Sequence, residues 1–330
     1  MSPNRAAVPN ALSFQSGFIQ EHSAMHLRDA VNHDVWVYVF RSNYNRKGPS
    51  GSKDLTQSRL STGRFLATKR LVWRGMLTFS PVLRLWESIR SPLHPTVSVL
   101  VPTSRDFDMI RASIFFGAFE GAEIRALRFG PPANLPLVEL GSGIGVIASH
   151  VLRKGNVSSY LAVEANRDLI SLCVRNMERN NPSRVRVSVV NAAFSDGDGV
   201  STALLQGGPR STGYLGKKIG AAMGQEGVDE IPVVSLTDLV GDFGEYGLIS
   251  DIEGAERCFL LGQDSSFERC VWFCGELHSD VQRSISIDDL IDGMVARGLD
   301  LVYRDGSVVV ATRSSPRPGF KTQRHGEGVE

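Results

Sequence analysis

From residue 97 onward, short apolar runs alternate with stretches whose apolar positions recur at helical spacing. Val97–Val101 predicts a strand, and Phe107 to Leu127 a helical stretch. Pro136–Leu140 predicts a buried strand, Gly141-Ser-Gly-Ile-Gly145 a tight turn, and Val146–Leu152 a helix. Tyr160–Glu164 is a second strand of this series, and Val185–Phe194 a third. Between them, Leu169, Leu172, Cys173 and Met177 give a helix from Arg167 to Asn180, ended by Pro182. Ile231–Asp238 precedes a short helix, Tyr246–Glu256 is a core strand running directly into acids, and Cys270–His278 is another that ends in polar groups. Ile287 to Arg297 is a helix closed by Gly298. Leu299–Arg304 and Ser307–Thr312 flank Asp305-Gly306, a hairpin signal. Strands alternating with helices predict an α/β fold, a doubly wound, mostly parallel sheet with an antiparallel terminal strand.

The rest of the chain follows other rules. Residues 1 to 33 show no clear period, Asp34–Phe40 reads as a strand, and Arg41 to Gly63 as a loop. Phe65 to Ile89 looks helical, interrupted by Pro81, with Lys69, Arg70, Arg74, Arg84 and Arg90 making the segment basic. A helical cap with solvated basic residues explains it, and so does peripheral contact of 65–90 with a membrane surface. The expected layout is a mixed N-terminal extension over 1–95, a catalytic domain over 96–313 and a disordered tail over 314–330. Gly207 to Gly227 is too long for an ordinary connection and is either disordered or a mobile lid over the acceptor.

Charge narrows the functional classes. Lys plus Arg number 36 and Asp plus Glu 35, so no net field favours nucleic acid or anionic lipid. No apolar run reaches a membrane span, and the first residues lack a secretion signal. Cys173, Cys258, Cys270 and Cys274 form no C-x-x-C pair, so neither zinc nor a disulfide framework is expected. The expectation is a reduced, cytoplasmic protein.

The glycine turn carries the chemistry. Gly141, Gly143 and Gly145 between a buried strand and a helix allow close approach of backbone to an adenosine-containing ligand. The dinucleotide fingerprint would place its third Gly or Ala where this chain has Val146, which disfavours an NAD dehydrogenase. Glu164 stands 19 residues beyond Gly145, close to the spacing of an acid that binds ribose hydroxyls. Two plainer readings stay open: a structural turn without ligand, and Glu164 as a helix-capping acid.

Glu139-Leu-Gly-Ser-Gly-Ile-Gly145, Val163-Glu-Ala-Asn166, Val234-Ser-Leu-Thr-Asp238, Asp251-Ile-Glu-Gly-Ala-Glu256 and Gly275-Glu-Leu-His278 occur in this order. Together, over about 97–312, they resemble the FkbM-type methyltransferases that use S-adenosylmethionine (SAM). The resemblance implies the class I methyltransferase sheet and O-methylation of a hydroxyl on a sugar, glycan or specialised metabolite. It implies SAM as cofactor, held by Glu139, Gly141, Ser142, Gly143, Gly145, Glu164, Ala165, Asn191, Ala192 and Asp251. Asp251, Glu253, Glu276 and His278 then surround the methyl-transfer point, with His278 the first choice of base and Asp251 the second. No metal is expected, although Asp251, Glu253 and Glu276 form an oxygen-rich set that a divalent ion could use.

Two departures stand out: Gly143 where the family usually has Asn, and Ile249 where it commonly has Lys. The second removes a charge-pairing or substrate role and leaves a non-catalytic SAM-binding or scaffold protein as the alternative. A nucleic-acid amino methyltransferase would need an N/D-P-P-aromatic strand end where the chain has Ser250-Asp-Ile-Glu253.

Overall fold

The computed structural model describes residues 82–195, 202–206, 228–241, 243–262 and 264–313. The expected strand at 34–40, the loop at 41–63, the first part of the basic helix, the glycine-rich passage 207–227 and the tail from 314 lie outside these residues.

Near the start of the described chain, β1 (Ser88–Arg90) pairs antiparallel with β2 (Ser98–Leu100), a hairpin that straddles residue 95. The expected continuation of a helix to Ile89 is therefore corrected. The Arg111 guanidinium collects the carbonyls of Leu83, Trp86, Val101 and Pro102, so this backbone is bonded sideways to a buried cation rather than along a helix. The open edge of β2 is satisfied by two asparagines further along. Asn176 and Asn180 each donate to and accept from one residue of β2, Leu100 and Ser98, as a neighbouring strand would. The helical stretch expected over 107–127 divides into α1 (Asp108–Phe115) and α2 (Gly121–Ala126). Gly117 at φ 69° and Glu120 at φ 49°, both left-handed, make the break.

The main sheet then builds in the predicted alternation. Its strands are β3 (Pro136–Leu140), β4 (Ser159–Glu164), β5 (Arg186–Asn191), β9 (Tyr246–Ser250), β10 (Cys270–Glu276), β11 (Asp300–Asp305) and β12 (Val308–Thr312). Between β5 and β9 the chain forms β6 (Ala193–Phe194), β7 (Thr202–Gln206) and β8 (Val228–Val234), a separate three-stranded sheet ordered β6-β8-β7. The single strand expected over 185–194 is thus two. Asn191 turns its amide back onto the carbonyls of Glu164 and Ala165, and the chain leaves the main sheet there.

The helices are α3 (Val146–Lys154), α4 (Arg167–Arg179), α5 (Leu236–Val240), α6 (Arg257–Leu260) and α7 (Ile287–Ala296). Strand alternation splits the core into two layers. Leu137, Tyr160, Ile249 and Trp272 pack with Ala126, Ile147, Val151 and Met177 of α2, α3 and α4. Val138, Leu140, Leu248 and Phe273 pack with Leu236, Phe259, Leu290 and Met294 of α5, α6 and α7. Across the sheet the order is β11-β12-β10-β9-β3-β4-β5, with β12 antiparallel to both neighbours and the other pairs parallel. Counted within this sheet alone, that is 3-2-1-4-5-7-6 read from β5. It is the class I methyltransferase fold. The order reverses between β3 and β9, and the carboxyl ends beside that reversal are where an open α/β sheet places its ligand.

Candidate active site

The turn after β3 sits at this reversal. Gly141, Gly143 and Gly145 have φ of 82°, 52° and 79°, all left-handed. They differ in what surrounds them. A Cβ on Gly141 would lie 2.0 Å from the Asp251 carbonyl oxygen, and one on Gly145 would lie 3.1 Å from both Cys173 Sγ and its carbonyl oxygen. A Cβ on Gly143 would meet nothing nearer than Glu120 Oε1 at 3.9 Å. Gly141 is therefore bare for packing against the end of β9, while Gly143 is bare beside open space. The Gly143 N–H donates to Glu164 Oε2 at 2.6 Å, and the Asn166 N–H donates to Glu164 Oε1 at 2.7 Å. Glu164 thus joins the glycine turn to the end of β4.

The remaining expected cofactor residues do different things. Ser142 is buried and places its hydroxyl 3.5 Å from Cys173 Sγ, so toward the site it offers backbone only. Asn191 braces Glu164 and Ala165 from β5, Ala192 donates its N–H to the Glu164 carbonyl, and Ala165 packs toward Ala193 and Ile231. Glu139 is buried beneath the turn and accepts from the Tyr160 hydroxyl at 2.9 Å. In register beside it on β9 stands Ile249, so no cation balances its charge there. Burial pushes Glu139 up to about 8, with the charges of Glu164 and Asp251 adding to the rise.

One contributor carried no sequence signal. Glu120, held left-handed between α1 and α2, accepts from the Ile147 N–H in the first turn of α3 at 3.2 Å. Burial raises it well above the usual carboxylate range, and the charges of Glu139, Glu123 and Asp251 raise it further. Glu120 Oε1 is also the nearest atom to a Cβ placed on Gly143, at 3.9 Å.

Across β9 and β10 lie the four residues expected at the transfer point, and the fold brings them together. His278 Nε2 is 3.8 Å from Asp251 Oδ1 and 3.5 Å from Glu253 Oε2. Glu276 receives the Ser307 hydroxyl at 2.8 Å. Asp251, Glu276 and His278 each present one polar atom within 4.8 Å of the other two. Beneath them Glu256, fully buried, accepts from the N–H groups of Ile252 and Gly254 at 3.0 and 2.9 Å, and its Oε1 lies 3.2 Å from His278 Nδ1. Glu256 stands in the Asp-Ile-Glu-Gly-Ala-Glu run, but only the structure gives it this role.

Protonation follows from the crowding. Burial works against a charged His278, but the Glu256 hydrogen bond and the charges of Glu256, Asp251 and Glu253 outweigh it and lift the ring to about 9. Asp251 rises to about 7, through burial and then the charge of Glu276. Glu123, reaching the same place from α2, also rises to about 7 through burial, helped by Glu276 and Asp251. At neutral pH the histidine holds its proton, and Asp251 and Glu123 are the carboxyls poised to gain or lose one.

No family model matches the chain, and no curated protein matches it. Solved structures do. TrmK of M. capricolum in complex with S-adenosyl-homocysteine is 7% identical, over 58% of this chain and 67% of that one, with a TM-score of 0.33. The ribosomal protein L11 methylase from Lactobacillus delbrueckii subsp. bulgaricus is 11% identical, over 58% and 75%, with a TM-score of 0.33. A TehB-like SAM-dependent methyltransferase from Corynebacterium glutamicum is 13% identical, over 58% and 86%, with a TM-score of 0.29. Likenesses of this size bear on neither activity nor substrate, and the fold assignment rests on the strand order. Among the described residues no helix is long and apolar enough to cross a membrane.

Proposed function

We propose that the chain is a SAM-dependent O-methyltransferase of the FkbM type, acting on a hydroxyl of a sugar, glycan or specialised metabolite. One observation carries the reading. The glycine turn, tied to Glu164, and the Asp251–Glu276–His278 cluster sit at neighbouring strand ends beside the reversal of strand order. SAM lies across Glu139–Gly145 with its ribose on Glu164, and the acceptor approaches over β9 and β10. The hydroxyl oxygen forms a bond to the methyl carbon as the carbon–sulfur bond breaks and its electron pair returns to sulfur. The hydroxyl proton passes to a carboxylate, with Asp251 favoured over His278 because the ring is already protonated. Alignment of the three reacting atoms supplies most of the acceleration, on the order of 7–11 kcal/mol.

The acceptor in this reading is neutral or cationic. The ion pairs of Asp251, Glu253 and Glu256 all run to one histidine, and a phosphate-bearing strand would meet this rim with like charge. Incubation with methyl-labelled SAM and a cell extract tests it. Label in a small molecule or glycan, stable to ester cleavage, is the expected result, and label in nucleic acid would sink the reading.

A further inference from the structure

We infer that the ends of β9 and β10 bind a divalent cation through Asp251, Glu276 and His278, an inference resting on the reading of this rim as the acceptor end of the site. The donor atoms come from three separate backbone positions and lie within 4.8 Å of one another. A six-coordinate ion with bonds of about 2.1–2.4 Å holds its ligand atoms roughly 3–4.8 Å apart. One ion therefore reaches all three.

The histidine distinguishes this cluster from a solvated group of acids. Glu256 has no exposed surface, and both its oxygens are tied by backbone N–H groups. It takes the His278 Nδ1 side of the ring and leaves Nε2 facing Asp251 and Glu253, where a bound ion takes the place of the Nε2 proton, which is released to solvent. A buried carboxylate on one ring nitrogen, with the other presented to oxygen ligands, is the support that metal-bound histidines receive. Ser307 supports Glu276 in the same manner, from the turn before β12. Two carboxylates with one imidazole suit Mn²⁺ or Mg²⁺, and the imidazole tilts the choice toward Mn²⁺.

The ion has a chemical use here. Its free coordination positions take the acceptor hydroxyl, which makes the O–H bond more acidic. The proton leaves to the second Asp251 oxygen, and the oxygen takes the methyl group from sulfur. Atoms balance: sulfonium and alcohol give thioether, methyl ether and one proton.

The test is a Mn²⁺ titration of the chelator-stripped full chain, without SAM, following the free-ion signal by electron paramagnetic resonance. One saturable site per chain is expected, with Mg²⁺ competing for it. Asp251→Asn and Glu276→Gln, both close to isosteric, should each weaken it by about tenfold or more. A folded chain with no saturable site, or a site indifferent to both substitutions, would overturn the inference. SAM calorimetry on the same samples separates the two readings. SAM binding without a Mn²⁺ site removes the ion and leaves the methyltransferase. A Mn²⁺ site without SAM binding leaves the ion and removes the cofactor.

Discussion

The glycine turn and the acidic strand ends share one edge of the sheet but are held in opposite ways. The turn is fixed by backbone: three left-handed glycines, Gly141 pressed against the Asp251 carbonyl, and Glu164 satisfied by two N–H groups. The acidic rim is fixed by side chains whose charges oppose one another. Asp251 and Glu123 are raised to about 7, and a single histidine is shared by Asp251, Glu253 and Glu256. The first region is shaped before any ligand arrives. The second holds surplus negative charge that a cation, a proton or a cationic acceptor relieves. Changes at the turn should act on folding and cofactor affinity, and changes at the rim on the chemical step.

The sharpest way to break that contrast is Gly141→Ala. With φ at 82° and 2.0 Å to the Asp251 oxygen, the methyl group has no room. Urea denaturation should show a loss of about 2–6 kcal/mol, from left-handed strain plus overpacking. Gly143→Ala, with 3.9 Å of clearance, should cost only the strain of about 1–2 kcal/mol. Equal losses at the two positions would mean that the turn is not packed as described.

At the rim, Asp251→Asn should lower kcat by about a hundredfold or more once the labelled acceptor is in hand. An unchanged single-turnover rate would place Asp251 outside the chemistry. Glu164→Ala sharpens the cofactor side: calorimetry should show SAM binding weakened by about 1.5–3 kcal/mol. Binding as tight as wild type would move the ribose elsewhere.

The last effect is a slope. Glu139, raised to about 8 in the folded chain, gives up its proton later than in the unfolded chain, where an ordinary glutamate titrates near 4.5. The folded state binds more protons between those values, so its stability falls as pH rises from about 4.5 to about 8. Urea midpoints at pH 5 and pH 8 should diverge in wild type and draw together in Glu139→Gln. Identical slopes in the two proteins would show that Glu139 is ionised in the fold.

Much of the fold was legible in the chain. The strands at Pro136–Leu140, Tyr246–Ser250 and Cys270–Glu276 are short apolar runs that only a buried sheet explains, and Asp305-Gly306 announces the final hairpin. Ser88–Arg90 was not legible. Its apolar neighbours have helical spacing, and the Arg111 guanidinium that claims the surrounding carbonyls comes from more than twenty residues away. The break of Val185–Phe194 after Asn191 was hidden for the same reason, since Asn191 bonds to carbonyls of β4 and not to its own neighbours.

The candidate site divides along the same line. Sequence alone determined the glycine turn, Glu164 and the acidic strand ends, because a left-handed turn demands glycine and polar residues closing apolar strands have few structural uses. Only the tertiary structure decided which acids share a volume. It added Glu120 and Glu123 from the segment before β3, gave Glu256 the task of orienting His278, and set Ile249 beside Glu139. It also raised His278 to about 9 and Asp251 to about 7. The physical reason is that backbone conformation is written in nearest neighbours. A pKa or a coordination set depends on charges and burial a few ångströms away in space, however far apart those residues stand along the chain.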